Sequence, residues 1–288
     1  MAQALVAQHA VARDTFDRAD RVLGRLLSRL CFEGPAEALN DTANTQPAVF
    51  VASVAALRVL QQQDDRQPAY VAGHSVGEFS ALVGAGALSF EDGLALVRER
   101  SRLMKQAGEC KPGGMAAILG LSREAVEEVC QEARDRTREY VGVANDNCPG
   151  QQVISGASAA LQQAIAVAKE RGAKRVVPLA VSVAAHSPLM DEAAQTFRGL
   201  MDATPFSVPA VPCVSNATAC AVADGALLRE ALGQQLTSPV RWSESVRWMI
   251  SQGVTHFIEV GPGDVLTGLN RRIDRAVESN NTDTMLAQ

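Results

Sequence analysis

The stretch that decides the fold is residues 69–88, Ala-Tyr-Val-Ala-Gly-His-Ser-Val-Gly-Glu-Phe-Ser-Ala-Leu-Val-Gly-Ala-Gly-Ala-Leu. The short apolar run Ala69 to Ala72 predicts a buried strand. Residues 73–77 then fit G-x-S-x-G, the strand-turn-helix elbow that raises a serine hydroxyl above a parallel sheet. An amphipathic helix is expected to follow the elbow. The stretch therefore predicts an α/β fold with a candidate active site at the turn.

Ser75 is the candidate nucleophile of this elbow. The N-terminus of the following helix faces the serine and favours negative charge there. The Val76 N–H, one residue later, is placed to donate to an oxyanion formed when the serine attacks. Gly73 and Gly77 are expected to leave room where the backbone turns and the helix packs closely. The alternative interpretation is a glycine-rich turn around an inert serine.

Composition sets the class of protein. The chain has 288 residues, 47% of them hydrophobic, and a mean hydropathy of zero, which predicts a globular protein of one or two domains. A net charge of −5 argues against a nucleic-acid-binding surface. No apolar run approaches the roughly 18 residues of a membrane span. The six cysteines form no C-x-x-C pair, which favours reduced cytoplasmic thiols over a zinc site or a disulfide framework.

A change in the order of predicted strands and helices in the middle of the chain predicts a second structural unit. Residues 113–181 follow the order β-α-β-β-α-β, the pattern of a small ferredoxin-like domain. We expect this subdomain to be inserted into a larger α/β unit made of residues 1–112 and 182–288. In that larger unit residues 1–30 and 47–61 are predicted to be helical, and 278–288 to be a polar, frayed end.

Arg100 is unusual because its helical neighbours are apolar. Leu96, Val97, Leu103 and Met104 lie three and four residues away. An unpaired buried charge is costly, so the guanidinium must find an anion. Two interpretations stay open from spacing alone. The first is structural, an internal salt bridge or a side chain that reaches out to solvent, and the second is a site for a substrate carboxylate.

His186 is the best-placed candidate base. It lies at a predicted junction between a strand and a helix, where Ser187 can cap the helix and Pro188 suits its first position. A base at such a junction faces a site, whereas the alternative is a surface histidine. His256 lies inside an apolar strand and is expected to belong to the core.

The whole chain resembles the malonyl-CoA:acyl carrier protein transacylases and the related acyltransferase domains of polyketide synthases. The resemblance implies a hydrolase-like α/β core, a ferredoxin-like small subdomain and an active site between them. The matching stretches occur in family order and are Thr45-Gln46-Pro47-Ala48, Gly73-His74-Ser75-Val76-Gly77-Glu78-Phe79-Ser80-Ala81, Arg100, Gly114-Met115-Ala116-Ala117, His186-Ser187-Pro188-Leu189-Met190, Ser238-Pro239-Val240-Arg241-Trp242 and Glu259-Val260-Gly261-Pro262-Gly263.

The resemblance also implies roles for individual residues. Ser75 matches the acyl-accepting nucleophile, and His186 matches its general base. Arg100 matches the arginine that pairs with the malonyl carboxylate. Gln235 matches the residue whose backbone carbonyl orients the histidine, so the family uses a Ser–His dyad without an aspartate.

The resemblance also indicates two substrate-binding residues, and the sequence departs from the family pattern at two places. His74 and Asn216 are expected to lie at the substrate cleft. The family begins with a strand and a Gly-Gln-Gly-Ser-Gln loop that supplies a second oxyanion N–H, whereas this sequence starts at Met1. Two interpretations stay open: the sequence is clipped or its start is misplaced, or the protein has lost this donor and has an unpaired sheet edge that impairs it. Ala185 precedes the histidine where relatives often carry Phe or Ser, which leaves the choice of acyl group open.

These observations lead to a functional hypothesis of two-step acyl transfer. Malonyl-CoA acylates Ser75, and the phosphopantetheine thiol of an acyl carrier protein then takes the malonyl group for fatty acid or polyketide synthesis. We expect no cofactor and no metal, no nucleic-acid or membrane partner, a monomer and a cytoplasmic location. The alternatives are a serine thioesterase or esterase, and a degenerate relative that binds a carrier protein without efficient catalysis.

Overall fold

The computed structural model describes residues 1–286, which contain three small sheets and the helices that cover them. The strands are β1 Val71–Ala72, β2 Gly113–Leu119, β3 Val141–Cys148, β4 Gln151–Ala157, β5 Arg175–Pro178, β6 Cys213–Val214, β7 Ala221–Val222, β8 His256–Glu259 and β9 Glu278–Asn281. The helices are α1 Gln3–Gln8, α2 Ala10–Leu23, α3 Leu27–Glu33, α4 Ala36–Asn40, α5 Thr42–Gln63, α6 Gly77–Gly84, α7 Phe90–Cys110, α8 Arg123–Thr137, α9 Ser158–Glu170, α10 Asp191–Asp202, α11 Gly225–Gln234, α12 Trp242–Ser251, α13 Val265–Ile273 and α14 Thr282–Met285.

The predicted elbow forms at the end of β1. β1 pairs in parallel with β6, and β6 pairs with β7 in the antiparallel sense. The chain leaves β1 through the Gly73–Gly77 turn and enters α6, as the sequence predicts. Phe79 of α6 is fully buried against Phe197 of α10, which fixes the helix over the core. The α/β fold class is confirmed.

Residues 113–178 form an antiparallel sheet with the strand order β3-β4-β2-β5. Helices α8 and α9 pack on it and bury an apolar layer that includes Ile118, Val126 and Ile154. The β-α-β-β-α-β order is confirmed. The exact division of the chain at 112/113 and 181/182 stays a prediction.

The end of β3 joins the small sheet to the larger unit. Asn145 forms an isolated parallel bridge with Val240. The Asp146 N–H donates to the Val240 carbonyl at 2.9 Å, and the Val240 N–H donates to the Ala144 carbonyl at 2.8 Å. Because these are main-chain bonds, β3 belongs to both units at this point.

Both ends of the chain differ from the sequence-based expectation. Residues 1–30 contain parts of three helices rather than one, with a break at His9 and another at Gly24, whose φ is 63°. The frayed end predicted for 278–288 is wrong for 278–285, because β9 pairs in parallel with β8 and α14 follows it. Residues 287–288 lie outside the described part.

Two further positions differ from their predicted settings. Helix α5 begins at Thr42, five residues earlier than predicted, because the Asp41 side chain accepts the Ala43 N–H at 2.9 Å and caps it. Pro47 therefore lies inside the helix. His256 is exposed on β8 rather than part of the core.

Helix α5 is the most apolar helix of the larger unit. Its length and composition would allow it to cross a membrane. However, 56% of its most apolar 18-residue stretch is buried inside the protein. Phe50 and Val54 are among its fully buried side chains. Packing inside the core accounts for its apolar character.

Candidate active site

The elbow holds Ser75 in a conformation that is uncommon for a serine. Its φ is 52°, in the left-handed region, and such a residue persists only where its surroundings fix it. The Gly77 N–H donates to the His74 carbonyl at 2.9 Å, and the Glu78 N–H donates to the Ser75 carbonyl at 3.1 Å. These short-range bonds close the turn and point the serine side chain out of the sheet edge.

The two glycines of the elbow differ in their surroundings. A Cβ atom at Gly73 would lie 2.0 Å from the Gly77 carbonyl carbon, so no side chain fits there. A Cβ atom at Gly77 would meet nothing within 4 Å. The sequence-based expectation that both glycines make room is therefore wrong for Gly77.

This difference predicts opposite effects of the same substitution on stability. Gly73→Ala should lower the free energy of unfolding by about 1–3 kcal/mol or more, because the backbone must move to avoid the clash. Gly77→Ala should leave stability unchanged or raise it by up to about 1 kcal/mol, because alanine favours the first turn of α6. Thermal unfolding of both variants measures this, and an equal loss in both would contradict the geometry.

Ser75 and His186 are within hydrogen-bond distance of each other. The Ser75 Oγ lies 2.9 Å from His186 Nε2, and His186 Nδ1 lies 2.9 Å from the Gln235 main-chain oxygen. A carbonyl oxygen only accepts, so Nδ1 carries the proton and Nε2 is free to accept the serine proton. The Gln235 carbonyl thus lies where it can orient the imidazole, and the role that the resemblance implies for it stays a prediction.

The environment of His186 keeps its ring neutral. The residue is 3% exposed, and its φ is 57°. Burial and, second to it, the positive charge of Arg100 lower the pKa of His186 to about 3. The imidazole is consequently available as a base throughout the neutral pH range.

Arg100 reaches the serine from the middle of α7. Its Nη2 donates to the Ser75 Oγ at 3.0 Å and to the Gln235 side-chain Oε1 at 2.9 Å, and its Nη1 donates to the Gln46 Oε1. The Arg100 side chain is 1% exposed. Burial lowers its pKa to about 10, so it stays charged at neutral pH.

The internal salt bridge that the sequence left open does not form. Within residues 1–286 no carboxylate lies within ion-pair distance of Arg100, whose bonding partners are two carboxamides and one hydroxyl. A buried cation with neutral partners retains its attraction for an anion. The geometry therefore favours the second interpretation, a site for a carboxylate beside the serine.

Asn216 contacts the elbow rather than an open cleft. Its Oδ1 accepts the Ser75 N–H at 2.7 Å, and its Nδ2 donates to the Gly73 carbonyl at 2.6 Å. Both ends of the carboxamide thus hold the main chain of the turn. This arrangement favours a role in bracing the elbow over the substrate-binding role expected from the resemblance.

His74 points from the elbow toward the small sheet. Its Nε2 lies 2.8 Å from the Asn147 Oδ1, and its ring packs 5.8 Å from the Trp242 ring. Burial lowers the pKa of His74 below its ordinary value. His74 therefore connects the serine turn with the end of β3.

The Val76 N–H, predicted to donate to an oxyanion, lies at the start of α6 beside the serine. Within residues 1–286 no acceptor receives this N–H, while the N–H groups of Ser75, Gly77 and Glu78 are all bonded. An unbonded N–H beside the serine at the start of a helix can stabilise an oxyanion. No cluster of three or more metal-binding side chains occurs in the same range.

Sequence reasoning missed two residues of the site as functional groups. Gln46 on α5 holds the Arg100 guanidinium, and Glu78 on α6 is 2% exposed and bonds the Gln235 carboxamide. Both residues lie within stretches that match the family, and this match could have identified them as site residues. Together the assembled groups can deprotonate a serine, stabilise an oxyanion and hold an anionic group nearby.

Comparison with known proteins gives a consistent result. The family described as "Acyl transferase domain" matches residues 1–286. The curated "Malonyl CoA-acyl carrier protein transacylase" of Salmonella typhimurium is 45% identical over 269 residues, which cover 93% of this chain and 86% of that protein.

Solved structures agree with the sequence comparison. An acyl carrier protein S-malonyltransferase from Vibrio cholerae superposes with a TM-score of 0.92 at 45% identity, covering 96% of this chain and 90% of the other. A malonyl-transacylase in complex with its type II polyketide synthase acyl-carrier protein gives a TM-score of 0.94 at 40% identity, covering 98% and 90%.

Proposed function

The chain belongs to the acyl transferase family and is an acyltransferase, and from that premise we propose that it moves a malonyl group from coenzyme A to an acyl carrier protein. The observation that carries the proposal is the buried Arg100, whose guanidinium contacts the Ser75 hydroxyl and has no ion-pair partner within residues 1–286. A plain esterase has no use for such a cation. A malonyl group carries a carboxylate one methylene beyond its acyl carbonyl, within reach of a neighbouring guanidinium.

The first half of the reaction acylates Ser75. His186 Nε2 takes the hydroxyl proton as Oγ attacks the thioester carbonyl, and the Val76 N–H donates to the oxyanion. The C–S bond then breaks, and the departing coenzyme A sulfur takes the proton from Nε2. The product is a malonyl ester of Ser75. The reaction as proposed needs neither a metal nor a cofactor.

The second half transfers the malonyl group. The phosphopantetheine thiol gives its proton to His186 Nε2 and attacks the ester carbonyl. The bond to Ser75 Oγ breaks, and Nε2 returns the proton to it. The substrate and partner named for the related transacylases support this assignment. A monomeric state and a cytoplasmic location stay predictions, and the six free cysteines support only the location.

The proposal predicts a covalent intermediate at one residue. After incubation with malonyl-CoA, mass spectrometry should locate one malonyl group on the peptide that contains Ser75. Addition of phosphopantetheinylated acyl carrier protein should move the group to the carrier thiol. Release of free malonate instead would identify a thioesterase, and a folded protein that acquires no malonyl group would contradict the proposal.

A further inference from the structure

A buried carboxylate lies behind the guanidinium of Arg100. Glu78 is the second residue of α6, and no step of the acyl transfer proposed above uses it. Its Oε1 accepts the Asn216 N–H at 3.2 Å, and its Oε2 accepts the Gln235 Nε2 at 2.5 Å. Each oxygen of the carboxylate is thus bonded to a different donor. A buried carboxylate held by donors alone is suited to act as an anion.

The side chain of Gln235 connects Glu78 with Arg100. Its Nε2 also donates to the Ser75 carbonyl at 2.9 Å, while its Oε1 accepts from Nε of Arg100 at 3.2 Å and from Nη2 at 2.9 Å. An NH₂ group only donates and a carbonyl oxygen only accepts, so the bond to Glu78 fixes which end faces the guanidinium. A flipped carboxamide would oppose donor to donor at Arg100 and acceptor to acceptor at Glu78.

We propose that Glu78 is a positioning residue for malonyl recognition, which fixes the Gln235 carboxamide and thereby aims the Arg100 guanidinium at the acyl group on Ser75. The inference rests on the proposed function, because the orientation of the Arg100 guanidinium matters only for an acyl group that carries a carboxylate. A neutral amide stands between Glu78 and Arg100, so the guanidinium is oriented without being neutralised by an ion pair. It stays available to an incoming anion.

The two donors around Glu78 explain why glutamine cannot replace it. A carboxylate offers an acceptor oxygen to each donor, whereas a carboxamide offers one oxygen and one NH₂ group. In Glu78→Gln the NH₂ group must oppose either the Asn216 N–H or the Gln235 Nε2. If the NH₂ group opposes Nε2, the Gln235 carboxamide keeps only the Ser75 carbonyl as an acceptor and holds Arg100 less firmly. If it opposes Asn216, the Asn216 N–H loses its acceptor instead. The size of the side chain hardly changes, so packing is preserved.

Glu78 also gives the recognition a pH dependence. Burial raises the pKa of Glu78 to about 7, against the opposing effects of its two donors and of Arg100. The other titratable groups around it are the Cys213 thiol of β6, whose pKa is raised by burial, and His186, which bonds the Gln235 main chain and has a pKa of about 3. Protonation removes one acceptor, so malonyl recognition should weaken as pH falls through about 7.

The test compares two thioesters over the range in which Glu78 titrates, about pH 5.5 to 8.5. Self-acylation by malonyl-CoA and by acetyl-CoA is measured for the wild type, Glu78→Gln and the control Glu244→Gln. Glu78→Gln should lower kcat/KM for malonyl-CoA by about 10- to 100-fold, mainly through KM, and leave acetyl-CoA nearly unchanged. The wild type should show an acid limb near pH 7 in its malonyl profile, and Glu78→Gln should lack it.

The control makes the same substitution at a partly exposed carboxylate that is likewise bonded to two residues. Glu244 on α12 also accepts from two residues, Arg123 and Arg241, but lies outside the site. Glu244→Gln should keep wild-type kinetics with both thioesters. A change of the same kind in both variants would identify a general effect of losing a bonded carboxylate and overturn the inference.

Other results of the same experiment also decide whether Glu78 positions Arg100. An equal loss of both activities in Glu78→Gln, or an unchanged malonyl profile, overturns it. If Glu78→Gln does not fold, the wild type still decides, because an acid limb near pH 7 must occur with malonyl-CoA and be absent with acetyl-CoA. A wild type that malonyl-CoA does not acylate at all removes the proposed function and this inference together.

Discussion

Arg100→Ala is expected to lower kcat/KM for acylation by malonyl-CoA by about two to four decades. The guanidinium is buried, and in such a setting a fork-shaped pair with a carboxylate is strong and directional. Removing one partner of a buried pair costs about 3–5 kcal/mol, and about 1.4 kcal/mol corresponds to one decade in rate. Self-acylation kinetics measure the loss.

Acylation by acetyl-CoA should hold or rise in the same variant. Acetyl lacks the carboxylate, so it gains nothing from Arg100. The positive charge of Arg100 also lowers the pKa of His186, and its removal makes the imidazole a stronger base. The ratio of malonyl to acetyl activity should therefore fall by at least the factor lost from malonyl transfer.

Two variants control the Arg100 experiment. Arg100→Lys should recover little activity, because an ammonium group cannot reproduce the fork. Arg98→Ala removes a half-exposed arginine of the same helix that pairs with Glu99, and it should leave both activities unchanged. Parallel loss of both activities in folded Arg100→Ala would indicate a structural role, and an unchanged preference would remove Arg100 from the site.

His186→Ala is expected to slow acylation of Ser75 by about 10²–10⁴-fold. The imidazole is the one base within hydrogen-bond distance of the Ser75 Oγ in residues 1–286, and its tautomer is set by the Gln235 carbonyl. Alanine leaves the serine proton without an acceptor. Single-turnover acylation by malonyl-CoA measures the effect, since it excludes the later transfer to the carrier protein.

His256→Ala is the matched control. His256 is exposed on β8 and lies 3.3 Å from the Glu278 carboxylate, away from the elbow. Its loss should leave acylation unchanged. If His256→Ala slowed acylation while a folded His186→Ala did not, the assignment of the base would be wrong.

The parts of the fold that depend on near neighbours in sequence could be predicted. The elbow follows from five consecutive residues, and the small sheet follows from strands and helices whose periods are visible in the chain. Ends of elements were less predictable. The cap at Asp41 and the parallel partner that orders 278–281 depend on specific contacts that hydrophobic pattern does not encode.

The candidate site shows the same limit more strongly. Burial of Arg100 could be inferred from its apolar helical neighbours, but its partners could not. Gln46 lies 54 residues away in sequence and Gln235 lies 135 residues away, and neither is distinguished by period or charge. In the sequence Glu78 resembles any acidic residue in the first turn of a helix. Its burial becomes visible only in the tertiary structure.

The bridge between Asn145 and Val240 has a consequence for building chimaeras. A graft of 113–181 from a relative would replace Ala144 and Asp146, so the foreign strand would have to form the main-chain bonds with Val240 in their place. It would also replace Asn147, the partner of His74, by the residue of the relative. A transplant that alters acyl preference while preserving the serine turn should therefore carry the Val240 segment together with the small sheet.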